Sequence, residues 1–79
     1  MTMADAVAKR IIELCSRKEI TINKLATLSG LTQSTVDSII NGKSKNPRLE
    51  TIKKICIGFD MTIVEFFSSP LFDHSNLDD

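Results

Sequence analysis

The run Gln33-Ser34-Thr35, with Ser38 a helical turn beyond Ser34, offers hydrogen-bonding side chains of short to medium length in close succession. On a helix, Ser34 and Ser38 share a face, and Gln33 would stand at its exposed start. Amides and hydroxyls so placed can read base edges in a DNA major groove, and a glutamine pairs bidentately with adenine through N6 and N7. Further along, the chain turns basic: Lys43, Lys45, Arg48, Lys53 and Lys54 are opposed only by Glu50. Taken alone, such a run fits a solvated face as well as a phosphate-binding one. Bond-making chemistry has no comparable support. His74, the sole histidine, has no serine-base pair, phosphate-cradling glycine loop or metal-spaced cluster around it. Cys15 and Cys56 lie in apolar-periodic stretches outside any Cys-x-x-Cys motif and read as reduced, buried small hydrophobes. The expectation is a protein that is not an enzyme, with no cofactor, no metal and no small-molecule ligand.

The elements that must position these residues can be read from periodicity and caps. Residues 5 to 18 place Val7, Ile11, Leu14 and Cys15, with neighbouring Ile12, at helical spacing, and put Lys9, Arg10, Glu13 and Arg17 on other faces. Thr21 then caps a second run, Ile22, Leu25, Ala26 and Leu28, which stops at Ser29-Gly30. Thr32 caps a third, Gln33 to Ile40, with Val36, Ile39 and Ile40 apolar, closed by Asn41-Gly42. Both starts carry a hydrophobic staple, Ile20 with Leu25 and Leu31 with Val36. Residues 43 to 48 hold no apolar side chain beyond the ring of Pro47, which disfavours helix just before it, so they read as an exposed loop. A fourth helix is expected from about Leu49 to Gly58, burying Leu49, Ile52, Ile55 and Cys56. A fifth opens at Thr62 with the capping box Thr62-x-x-Glu65 and a staple from Met61 to Phe66. Past Pro70 the periodicity is lost, and residues 70–79 are expected to fray unless a partner orders them.

With 79 residues the chain reads as one domain, 1–69, followed by a C-terminal tail, 70–79. Formal net charge is zero, but all ten basic residues lie at or before Lys54, whereas Asp60, Glu65, Asp73, Asp78 and Asp79 follow it. The body is therefore basic and the tail acidic. The longest apolar run, Ile55 to Phe59 with one glycine, falls far short of the roughly 20 residues a membrane span requires. No membrane partner is expected. The amphipathic N-terminus does not read as a signal peptide, and together with the cysteines it points to a cytoplasmic location.

Helices two and three are separated by a turn of about three residues, which lets them cross steeply only if the crossing point is small and the turn tolerates a left-handed backbone. Ala26 and Gly30 meet those needs, and Val36 and Ile39 then face inward beside Leu25. The segment Leu25-Ala26-x-x-x-Gly30-Leu31-Thr32-Gln33-Ser34-Thr35-Val36-x-x-Ile39-x-Asn41-Gly42, with Pro47, Thr51 and Ile55 beyond it, resembles the Cro and phage-repressor class of helix-turn-helix regulators, the Xre family. The resemblance covers roughly residues 5 to 68. It implies an all-α, compact five-helix bundle, a lambda-repressor-like DNA-binding domain with the helix-turn-helix at helices two and three. It implies double-stranded DNA as partner, a transcriptional regulator of repressor type, and 33–40 as the recognition helix in the major groove. By the same resemblance, Gln33, Ser34 and Ser38 are expected at bases. Thr35, Asn41, Lys43, Lys45 and Arg48 are expected at the DNA backbone, with Arg48 near the minor groove. Independently, Thr21 and the free N–H groups it heads suit a phosphate, and Arg48 is a poor cap for the fourth helix, a broken local rule where a function would explain it.

Two positions depart from the family pattern. Many relatives carry a phosphate-clamping glutamine at the first residue of helix two, where this chain has Ile22, and Asp37 on the third helix would repel phosphate unless it meets cytosine N4 or a lysine. Two other functions therefore stay open: an antitoxin or mobile-element accessory protein of the same fold, and a protein-interaction module without DNA binding. A homodimer is expected through the C-terminal part, because Phe59, Phe66, Phe67 and Phe72 all fall there and adjacent Phe66 and Phe67 cannot both point fully into a small core.

Overall fold

The structure, a computed structural model, describes residues 1–78. Among the described residues every regular element is helical. Helix α1 spans Met3–Lys18, α2 Ile22–Ser29, α3 Gln33–Ile40, α4 Leu49–Gly58 and α5 Ile63–Phe67, and two single 3₁₀ turns follow at Pro70–Phe72 and His74–Asn76. The five-helix, all-α expectation holds.

The caps explain the boundaries. Thr21, Thr32 and Thr62 each accept a bond from the backbone N–H three residues on, at 3.0, 3.2 and 3.0 Å. Glu65 in turn accepts from the Thr62 N–H at 2.8 Å, completing the expected capping box. Gly30 ends α2 at φ 68° and Gly42 follows α3 at φ 75°, the left-handed conformations for which their lack of a Cβ suits them. Helix α1 begins two residues earlier than its apolar periodicity indicates, because Thr2 and Asp5 form a second capping box.

The core is a single cluster that joins Val7, Ile11 and Leu14 of α1 to Leu25 and Ala26 of α2, Val36 and Ile39 of α3, Ile52 and Ile55 of α4, and Phe59 and Phe66. Helix α2 packs on α4 and α3, and α1 on α3, so α3 is braced from two sides. The stapling residues Ile20, Leu31 and Met61 are half-buried against this cluster. Where α4 passes α2, a Cβ at Gly58 would fall 2.2 Å from Ser29 Oγ and 3.2 Å from the Ser29 backbone nitrogen, so the glycine permits the approach.

Three expectations need correction. Leu49, placed in the core by its spacing from Ile52, is 80% exposed. As the first residue of α4 its side chain leans toward the helix N-terminus, over the Pro47-Arg48 loop and away from the core. Arg10, placed off the apolar face by its spacing, is nevertheless only 5% exposed: its Nε donates to Phe66 O at 2.7 Å, its Nη2 to Glu65 O at 2.9 Å, and its Nη1 pairs with Glu13 at 2.5 Å. At the end of α5 the guanidinium thus meets Phe66 O and adds a second bond to Glu65 O, which also accepts from the Ser68 N–H at 3.2 Å.

The third correction concerns the tail, which is docked on the helices instead of frayed. The Phe72 ring meets that of Phe67 edge to face at 4.8 Å, and Phe66 lies 5.0 Å from Phe67 and 6.2 Å from Phe72, so the three rings form one cluster. Ser69 Oγ accepts from Leu71 N–H, Asn76 donates to Pro70 O, and the Met1 ammonium meets Asp78 at 2.7 Å. Phe66 is fully buried while Phe67 and Phe72 are half-buried. The cover that a second copy was expected to give Phe67 therefore comes from the chain itself. Asp79 lies outside the described residues.

Candidate nucleic-acid interface

Helix α3 presents its N-terminal turn outward because Val36 and Ile39 anchor its opposite face in the core. Gln33 and Ser34 are exposed there, and Thr35 and Ser38 are half-buried. Thr35 Oγ1 shares a hydrogen bond with Thr32 Oγ1 at 2.9 Å, which tightens the start of the helix. After Ile40 the chain reverses: the N–H groups of Lys43 and Ser44 both donate to Ser38 O, at 2.9 and 3.0 Å, and fold the basic loop back beside α3.

Of the residues expected to contact DNA, Thr35, Ser38 and Arg48 come together, lining one shallow recess with Ser44, Asn46 and Thr51. Lys43 is exposed on the same loop. Lys45, also exposed, borders a different groove, shared with Met3, Pro47, Leu49 and Phe67. Asn41 is the exposed C-cap of α3, and Thr21 is the exposed N-cap of α2. Arg48 heads α4 with no side-chain cap bond. Among the described residues its guanidinium reaches only Glu50, at 3.4 Å with both side chains largely exposed, a pair worth about 0.2–1 kcal/mol that a phosphate can displace.

The departures also find their places. Ile22 is half-buried against the core and has no polar group to offer a phosphate. Asp37, half-exposed, has no ion-pair partner among the described residues. One contact at this surface has no signature in the spacing: Asn23 Nδ2, from the first turn of α2, donates to Gln33 Oε1 at 2.5 Å. The available signal was an amide at an exposed position of α2, next to the residue where relatives carry theirs.

Among the described residues no group of three or more His, Cys, Asp or Glu is arranged to hold a metal ion, and no helix is long and apolar enough to cross a membrane. Cys15 and Cys56 are unpaired and buried, and burial pushes both thiols up from their ordinary value, away from the reactive thiolate.

Residues 10–70 match the family model of the Cro/C1-type helix-turn-helix DNA-binding domain. The chain is 38% identical over 47 residues to an uncharacterized HTH-type transcriptional regulator, RghRB, of Bacillus subtilis (strain 168). That match takes in 60% of this chain and 34% of the relative, so this chain spans about a third of that regulator. Among solved structures, the crystal structure of the prophage Lp1 protein 11 superposes with a TM-score of 0.80 at 38% identity, covering 89% of this chain and 92% of that one.

Proposed function

Because the chain belongs to the Cro/C1-type helix-turn-helix DNA-binding domain family, we propose that it is a transcriptional regulator that binds double-stranded DNA sequence-specifically, with α3 in the major groove as recognition helix. The observation that carries this reading is the outward N-terminal turn of α3, braced from the core side by Val36 and Ile39 and flanked by a basic loop. In it, Gln33, Ser34 and Ser38 meet base edges. Thr21, Thr35, Asn41, Lys43, Lys45 and Arg48 meet the phosphate backbone, where N–H groups, hydroxyls and cations supply affinity without sequence preference. Residues 1–69 do the binding, and 70–79 form a tail.

Repression follows from the simplest use of such a domain, occupation of a site that transcription needs, and reduced, buried cysteines suit a cytoplasmic setting. Pairing of two copies belongs to the same reading, since a two-fold axis sets two recognition helices roughly 34 Å apart, one DNA turn. With Phe67 covered from within, the support for pairing shifts to Ile57, Ile63 and Val64, exposed apolar side chains at the end of α4 and on α5.

The test is selection of bound duplexes from a random pool, followed by Gln33→Ala. The variant is expected to lose about 1–3 kcal/mol on the selected duplex and much less on random DNA. An equal loss on both would show that Gln33 positions the protein and reads no base.

A further inference from the structure

We infer that Asn23 is a positioning residue for Gln33, setting sequence preference from α2 without touching a base itself. The inference rests on the reading of Gln33 as a base-contacting residue and adds a second residue to that function.

A glutamine at an exposed helix start is a poor reader by itself, because its side chain has three rotatable bonds and its terminal amide turns over easily. Here it is held. Asn23 Nδ2 donates to Gln33 Oε1 at 2.5 Å across the helix-turn-helix, from an element whose own first turn is fixed. Thr21 caps that turn through the Lys24 N–H at 3.0 Å, and Thr27 Oγ1 donates to the Asn23 carbonyl at 3.2 Å. Asn23 therefore stands on a braced backbone, whereas Gln33 is the long side chain that would otherwise wander.

The count of donors and acceptors shows that the tie leaves reading intact. An amide oxygen accepts two bonds and an amide nitrogen donates two. With one lone pair given to Asn23, Gln33 retains one acceptor site and both N–H groups, enough for adenine N6–H and N7 together. Turning both amides end for end exchanges donor and acceptor, keeps the bond, and still leaves Gln33 a donor and an acceptor. What the tie removes is rotation of the amide away from the groove. Ile22, one residue earlier, cannot serve, since it is apolar and packs against the core.

The experiment uses the full chain, the selected duplex and a random duplex of equal length. Asn23 is exposed and alanine favours helix, so Asn23→Ala should fold with an unchanged melting temperature. It is expected to weaken binding to the selected duplex by about 2- to 12-fold, the worth of one hydrogen bond, and to leave the random duplex within twofold. Introduced on top of Gln33→Ala, it should change neither. Repeated selection with Asn23→Ala should broaden only the base pairs that Gln33→Ala broadens. Equal weakening on both duplexes, or the same weakening with Gln33 already removed, would overturn the inference. The two readings fail separately: if Gln33→Ala abolishes the preference while Asn23→Ala keeps it, only the role of Asn23 falls. If Gln33→Ala itself keeps the preference, the base reading falls and takes Asn23 with it.

Discussion

Arg10 shows how a single residue can bind distant parts of this chain. Its guanidinium is enclosed, and its two backbone acceptors, Glu65 O and Phe66 O, belong to the last helix. Hydrogen bonds from a charged donor are worth about 1.5–3 kcal/mol each in buried settings, and removing the donor costs Phe66 O its bond and Glu65 O one of its two. Arg10→Met keeps an apolar stem and is expected to lower unfolding stability by about 2–3 kcal/mol in urea, with amide exchange accelerating first in α5. A decrease below about 0.5 kcal/mol would mean that water replaces the guanidinium at no cost. None of this is legible in the sequence. Arg10 occupies an ordinary polar position in the periodicity of α1, and its acceptors are main-chain atoms, which leave no mark in side-chain types. Asn23 is hidden for a related reason, since an exposed asparagine near a helix start has many ordinary uses. Gln33, by contrast, is legible because a cap, a staple and the inward Val36 and Ile39 fix the direction in which the start of α3 points.

At the scale of elements, the caps that make the helices readable also make them sensitive to acid. The Thr2 backbone N–H, with its hydroxyl, holds the Asp5 carboxyl below the usual carboxylate value, and Thr62 does the same for Glu65. A carboxyl whose pKa is lower folded than unfolded adds stability above its unfolded value and loses it as pH falls through the folded one. Stability should therefore decline as pH drops below about 4, the ordinary carboxylate range. The double variant Asp5→Asn, Glu65→Gln keeps an acceptor at each cap but does not titrate, so it is expected to lose less over that interval in thermal melts at successive pH values. Equal losses would place the acid sensitivity elsewhere. The capping box at Thr62 can be read because an apolar run follows it, whereas the one at Thr2 precedes Met3 and Ala4, which carry no clear period. Leu49 marks the limit of periodicity at an element's edge: a residue in register with a core stripe leaves the core when its helix starts there.

For the whole molecule, the asymmetry of charge and the docking of the tail decide how it meets DNA and other copies of itself. Phe72 closes over Phe67, so the proposed pairing rests on the exposed Ile57, Ile63 and Val64. Sedimentation at micromolar concentration is expected to show a dimer for the full chain and a monomer for Val64→Glu, with helicity unchanged. A full chain that sediments as a monomer would remove pairing from the account. The tail's position is not legible in the sequence because an aperiodic segment gains order only from residues far away along the chain, here the phenylalanines of α5 and the first residue. The basic loop is legible, since Pro47 and the lack of other apolar side chains force it outward while Lys43, Lys45 and Arg48 set its charge. Its use on DNA is the central claim, and the most direct measurement is the salt dependence of duplex binding by the native chain and by Lys43→Ala, Lys45→Ala. The native chain should show log affinity falling linearly with log salt. The double variant should flatten that slope by about 0.9 for each phosphate it no longer neutralises, and weaken selected and random duplexes alike. Unchanged affinity and unchanged slope in the variant would contradict the assignment of this face to DNA.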